Sequence, residues 1–146
     1  MNLKQINHWE YEGKPLLEKP NNAKAFIYRI LHIPSGKFYI GYKLFQNKIT
    51  TKLSKKALLS RVDKRASKKK VVHKEKWIEY CGSCTDVEYK RLWKESPQDF
   101  KRVILQVVYP GDWSEKYYEK KWMILLDWES PKCFNKHFDG KVFKPK

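Results

Sequence analysis

Acidic residues are in short supply. Sixteen Asp and Glu stand against 32 Lys and Arg in 146 residues, for a formal net charge of +16. That imbalance points to a polyanionic partner, either nucleic acid or an anionic membrane surface. No apolar run approaches the roughly 20 residues that a membrane span needs. Residues 1–12 lack the apolar stretch of a secretory leader. The expectation is therefore a soluble, intracellular chain with no membrane partner. Cysteine is both rare and odd in number, three in all, which argues against a disulfide framework. Internal repeats and low-complexity linkers are absent, and the length fits one domain with a modest core.

Aromatics are plentiful: nine tyrosines and six tryptophans help bring the hydrophobic share to 41%. Residues 1–24 are polar and carry Pro15 and Pro20, so they read as an irregular arm pinned by Trp9 and Tyr11. The body, residues 25–146, opens with a hairpin. In its first strand, from Ala25 to Leu31, Phe26, Tyr28 and Ile30 share one face, with Ile27, Arg29 and Leu31 on the other. Pro34-Ser35-Gly36 supplies turn chemistry. In the returning strand, Lys37 to Lys43, the residues Tyr39, Gly41 and Lys43 share a face.

A basic insertion follows at about residues 44–76. Between Lys48 and Lys76 there are 12 Lys or Arg and 2 acids. The spacing of Leu53, Leu58 and Val62 predicts a short helix over 54–66, and 67–76 reads as an exposed loop. A helix is expected from Asp86 to Glu95, with Val87, Leu92 and Trp93 inward. Phe100 to Val108 is a strand. A second helix should open at an Asp112–Glu115 capping box and bury Tyr118, Trp122, Leu125 and Leu126. The resulting fold class is α+β: a small domain with a three-stranded, mainly antiparallel sheet flanked by helices.

The layout makes Tyr28 and Tyr39 cross-strand neighbours, at roughly 5 Å. It puts Lys43 on the same face and leaves Gly41 open to the approach of a ligand. A plain aromatic pair buried under a helix is the bland alternative. Separately, Cys81-x2-Cys84 and Cys133-x3-His137 have the spacing of a structural zinc site, provided the two pairs meet in space. Space-filling thiols and a surface histidine are the favoured account of them. Trp77, Tyr80 and Trp93 are expected to pack internally, the alternative being contact with bases of a single strand.

Phe26-Ile27-Tyr28, ten residues, then Tyr39-Ile40-Gly41 resembles the signature of the GIY-YIG nuclease family. Gly36-Lys37-Phe38-Tyr39-Ile40-Gly41 resembles its GKxYIG turn and strand. Trp77-x-x-Tyr80-x-Gly82-Ser83 is similar to the WxxYxGSS stretch of a phage-associated, homing-type branch. Asp99 to Leu105 resembles that branch's central strand, and Tyr118-Glu119 and Phe134-Asn135 its later motifs. Two departures stand out. Phe26 occupies the place of the first signature glycine, and the basic insertion lies between the hairpin and the family's arginine-bearing helix.

The resemblance implies hydrolysis of DNA phosphodiester bonds with Mg²⁺ or Mn²⁺, and DNA, double-stranded, as partner of a monomer or weak dimer. The host cytoplasm is the implied location if the gene is phage-borne. Glu119 would be the metal ligand and Tyr28 or Tyr39 the base. Lys43 and an arginine would supply positive field, Arg61 first and Arg65 second, with Arg91 a distant third. Asn135 would position the carboxylate or a phosphate. Two other classes remain open: an inactive module that grips DNA or RNA through the basic insertion, and a basic adaptor for an acidic protein surface.

Overall fold

The alternation of residues 25–32 makes a strand that is paired on both sides within the sheet. The structure is a computed structural model and describes residues 6–52, 69–74, 76–138 and 142–143. Short strands β1 (Glu10–Tyr11) and β2 (Lys14–Pro15) are followed by β3 (Ala25–His32) and β4 (Phe38–Leu44). Next come β5 (Asn47–Lys52), β6 (Lys69–Lys74), helix α1 (Val87–Glu95), β7 (Phe100–Val108), helix α2 (Glu115–Leu125), β8 (His137–Phe138) and β9 (Val142–Phe143). The main sheet has five strands in the order β2-β1-β7-β3-β4.

The fold class stands as α+β, but the sheet is larger than expected and it is mixed. β1 pairs parallel with β7, while β7, β3 and β4 pair antiparallel. The arm supplies the two extra strands, and Trp9 explains why. Its ring is 1% exposed and lies 5.0 Å from Phe26, and its indole N–H donates to the Trp77 carbonyl at 2.8 Å. Burying so large a ring offsets the entropy of ordering a polar segment.

The two faces of β3 feed two cores, as alternation demands. Phe26, Tyr28 and Ile30 pack with Trp9, Trp77, Phe100 and the α1 residues Tyr89 and Trp93. Ile27 packs on the other face with Ile40, Val108, Trp128 and Met123 of α2. Trp77 and Trp93 are thus internal residues. Helix orientation differs in detail from the apolar pattern. Val87 and Leu125 are exposed, and Tyr89 and Met123 take the buried places. α2 begins later than expected, because Ser114, not Asp112, caps it by accepting from Tyr117 N. Asp112 instead accepts from Tyr109 N within the preceding turn.

The basic insertion contains an antiparallel β5–β6 ladder. Lys69–Lys74 is therefore a strand where a loop was expected. The helix expected over 54–66, with Arg61 and Arg65, lies outside the described residues.

β4 is the last strand of the sheet, and residues 132–135 run along its free edge. Phe38 N donates to Lys132 O at 2.9 Å, and Phe134 N donates to Phe38 O at 2.7 Å. Next in line, the Asn135 side chain acts as a surrogate strand. Its Oδ1 accepts from Ile40 N at 2.9 Å and its Nδ2 donates to Ile40 O at 2.8 Å.

Arg102 is an inward arginine on β7, 2% exposed. Its guanidinium donates to the carbonyls of Asn7, Ile78 and Tyr80 at 2.7–3.1 Å. It also stacks over Trp9, 4.7 Å from the ring centroid. No acid pairs with it in these contacts, and burial pushes its pKa down to about 10. One side chain thus ties the arm to the 77–80 loop. Arg102→Met would leave three carbonyls without their donors, at a cost of about 2–4 kcal/mol. Urea denaturation checks this; a loss below about 0.5 kcal/mol would mean the clamp is not structural.

Candidate active site

The hairpin sets the first part of the site. The phenols of Tyr28 and Tyr39 share a face, but they are not direct cross-strand partners. The register places Gly41 opposite Tyr28 and Ile30 opposite Tyr39. The rings sit diagonally, with centroids 6.2 Å apart. Gly41 does not provide open room for a ligand. A Cβ there would lie 2.6 Å from Cζ of Tyr28, so the glycine exists to let that phenol ring lie flat across the strand.

The loop after Trp77 supplies the second part. Gly82 has φ +87, and a Cβ there would lie 2.8 Å from the Tyr89 hydroxyl, so only glycine turns the chain at this point. The turn brings Tyr80 and Ser83 over the hairpin. The Tyr28 hydroxyl donates to Tyr80 Oη at 3.4 Å, and Lys43 Nζ lies 5.0 Å from the Tyr80 ring centroid. Ser83 hydrogen-bonds to Tyr39.

α2 supplies the third part. It packs on the opposite face of the sheet from Tyr39, yet Glu119 reaches round the free edge of β4. Two adjoining clefts meet there. One, of about 310 Å³, is lined by Tyr28, Tyr39, Lys43, Tyr80, Ser83 and Glu119, among others. The other, of about 540 Å³, is lined by Tyr39, Tyr42, Cys84, Lys116, Glu119 and Asn135, among others. Tyr39 and Glu119 belong to both. Four sequence-predicted residues, Tyr28, Tyr39, Lys43 and Glu119, therefore line the smaller cleft. Asn135 borders the larger one, but its amide is engaged with the Ile40 backbone. Arg61 and Arg65 lie outside the described residues. Arg91 is on the exposed surface of α1, 3.4 Å from Glu95.

The electrostatics follow from burial. Tyr28 is fully enclosed, and loss of hydration, aided by Tyr80, pushes its pKa well above the usual phenol value. Tyr39 is less enclosed and rises to about 12. Burial is the main cause; Ser83 pulls the other way, and Cys84 and the Glu119 carboxylate add to the rise. Tyr42 is raised as well, by burial and then by Glu119. Both shifts report the Glu119 charge close to the phenols. Lys43 is lowered by burial and by the neighbouring Lys76.

A profile of the family described as "Putative endonuclease segE, GIY-YIG domain" matches residues 9–128. The chain belongs to this GIY-YIG family. No curated protein and no solved structure matches it. The GIY-YIG domain is an endonuclease domain, whose substrate is nucleic acid. Among the described residues, no helix is long and apolar enough to cross a membrane.

Sequence reasoning gave Tyr80 a packing role, with base contact as the alternative, and gave Ser83 and Tyr42 none, although Tyr80 and Ser83 stand in the WxxYxGSS stretch. Arg102 also went unassigned. Its signal was its place between Phe100 and Ile104 on the inward side of a strand.

Cys81, Cys84, Cys133 and His137 are not gathered into one group. The Cys81 thiol donates to Glu79 O at 3.3 Å, while Cys133 Sγ donates to Asn135 Oδ1 at 3.2 Å. Cys84 faces the larger cleft with His137. Among the described residues, no three His, Cys, Asp or Glu side chains are grouped to hold a metal ion. One carboxylate, Glu119, lines both clefts, and a single carboxylate is a donor set that Mg²⁺ can use when waters and substrate phosphate oxygens complete its shell.

Proposed function

We propose that this GIY-YIG domain hydrolyses DNA phosphodiester bonds with Mg²⁺ or Mn²⁺ held at Glu119. The observation that carries the reading is the shared cleft. Tyr39 from the hairpin and Glu119 from α2 meet at one sheet edge, with room between them for a phosphate.

A divalent cation at Glu119 would neutralise the phosphate and the leaving oxygen. Tyr39 takes the proton of the attacking water, leaving 5′-phosphate and 3′-hydroxyl ends. Tyr39 is the better of the two phenols, because Tyr28 is sealed in the core and donates its own proton to Tyr80. Ser83 and Lys43 favour the phenolate by hydrogen bonding and by charge. Lys43 also faces the phosphate, aided by an arginine from the basic insertion, Arg61 before Arg65. Asn135 is a positioning residue: it pins Ile40, and so holds Tyr39 in place from the next position along the strand. Double-stranded DNA fits the basic surface, where Lys and Arg grip phosphates whatever the sequence. The motifs shared with the phage-associated branch support a role in homing or in attack on a competitor's genome.

The raised pKa of Tyr39 favours one second reading, a module of the same fold that binds nucleic acid and does not cut it. Plasmid nicking separates the two. With Mg²⁺, supercoiled DNA should be nicked or linearised, and EDTA should stop this. Salt-sensitive binding with no cleavage in Mg²⁺ or Mn²⁺ would establish the binding module instead.

A further inference from the structure

Five large apolar side chains between residues 109 and 125 face solvent: Tyr109, Trp113, Tyr117, Ile124 and Leu125. Trp113 is 72% exposed, and Tyr117 is 49% exposed. Their ring centroids lie 5.5 Å apart at an interplanar angle of 39°. The two form a small aromatic ledge at the start of α2 that belongs to neither core cluster, although Tyr117 abuts Tyr118 with ring centroids 5.3 Å apart.

Its place relative to the cleft is informative. Lys116 and Lys120 line the larger cleft together with Glu119. On a helix, Tyr117 lies about 60° from Lys120 and about 160° from Glu119. The ledge therefore lies on the far side of α2 from the carboxylate and lines neither cleft, with the two lysines between it and Glu119.

The charge of the chain as a whole limits the occupants of the ledge. Lys116, Lys120 and Lys121 stand in this stretch beside Asp112, Glu115 and Glu119, and the excess of +16 comes from the rest of the molecule. A second copy of a chain carrying +16 would be repelled from this surface. A polyanion with flat apolar faces would be attracted to it. Paired bases inside a duplex are stacked on one another and offer no free face, whereas an unpaired base does.

We propose that Trp113 and Tyr117 are a stacking platform for an unpaired nucleobase, on a strand that passes Lys116 and Lys120 as it leaves the cleft. The preferred ligand is then DNA in which a single-stranded tail or branch adjoins the duplex. The path of the strand rests on the nuclease reading of the Glu119 cleft, but the stacking does not depend on cleavage.

Binding measured by fluorescence anisotropy in EDTA tests the platform without any cutting. The probes are a fully paired duplex and the same duplex with an unpaired tail. The protein should bind the tailed probe on the order of tenfold more tightly. Trp113→Ala/Tyr117→Ala should lose that preference and keep both its duplex affinity and its salt dependence. Trp113→Phe, which retains a flat ring, should keep most of the preference.

Equal affinity of the wild type for both probes overturns the proposal. So does a double variant that discriminates as the wild type does, or that loses both affinities alike. Sedimentation of the DNA-free protein covers the rival occupant: self-association abolished by the double variant would assign the ledge to a second copy. If tail preference persists in a protein that never cleaves with Mg²⁺, the nuclease reading fails and the platform stands.

Discussion

Glu119→Gln should give a folded protein that binds DNA and has lost cleavage roughly 10³-fold or more. The magnitude follows from removing the anionic ligand of a cation that contributes several kcal/mol to the transition state. The amide keeps the size of the side chain, and Glu119 stands at a cleft rather than in either core, so stability should change little. Gel-shift binding in EDTA should match the wild type. The electrostatics sharpen the test. Glu119 is one of the charges that raise Tyr39, so the substitution brings the phenol's pKa down and makes it easier to ionise. A loss of cutting therefore cannot be assigned to a smaller phenolate population. Cleavage within threefold of wild type at saturating Mg²⁺ would remove Glu119 from the mechanism.

Tyr39→Phe should lower turnover by about 10²–10⁴-fold, the usual contribution of a general base. The ring still packs against Tyr28 and Tyr89, with centroids at 6.2 and 5.8 Å, and only the hydroxyl with its Ser83 contact is lost. Thermal stability should stay near the wild-type value. The pH dependence gives an independent reading. With Tyr39 pushed up to about 12, the reactive phenolate is a small fraction at neutral pH. That fraction grows about tenfold for each pH unit up to the pKa. The rate in Mg²⁺ should therefore climb steadily from pH 7 to 9 in the wild type, and the climb should vanish in Tyr39→Phe. A flat wild-type profile over that range would show that the phenol acts as a neutral hydrogen-bond donor and not as a base.

Local patterns made much of this structure legible. The β3–β4 hairpin and its two faces follow from period-two alternation between residues 25 and 43, and the register then brings Tyr28, Tyr39 and Lys43 to one side. What alternation cannot fix is which residues stand opposite each other. The turn aligns Tyr39 with Ile30, so Gly41 falls under Tyr28 and is filled by it. Long-range contacts were hidden for a different reason. Arg102 satisfies backbone carbonyls, which carry no sequence signature, and its link to Asn7 spans 95 residues. The same holds for Asn135: a family motif made it a candidate, but the strand-like use of its amide appears only once residues 132–135 lie beside β4. Helix faces were read in part. Moving the cap from Asp112 to Ser114 leaves Trp113 outside the helix and in solvent, and Leu125 sits on the outer side despite its apolar character.

The Asn135–Ile40 clasp joins positions 95 apart, and the carboxylate at 119 also comes late in the chain. Tyr28 and Tyr39 leave the ribosome long before either. A nascent or prematurely terminated chain thus displays the phenols without the acid, and slow closure of such distant contacts delays completion further. On the reading proposed above, a half-made chain would therefore lack the metal ligand and would not cut.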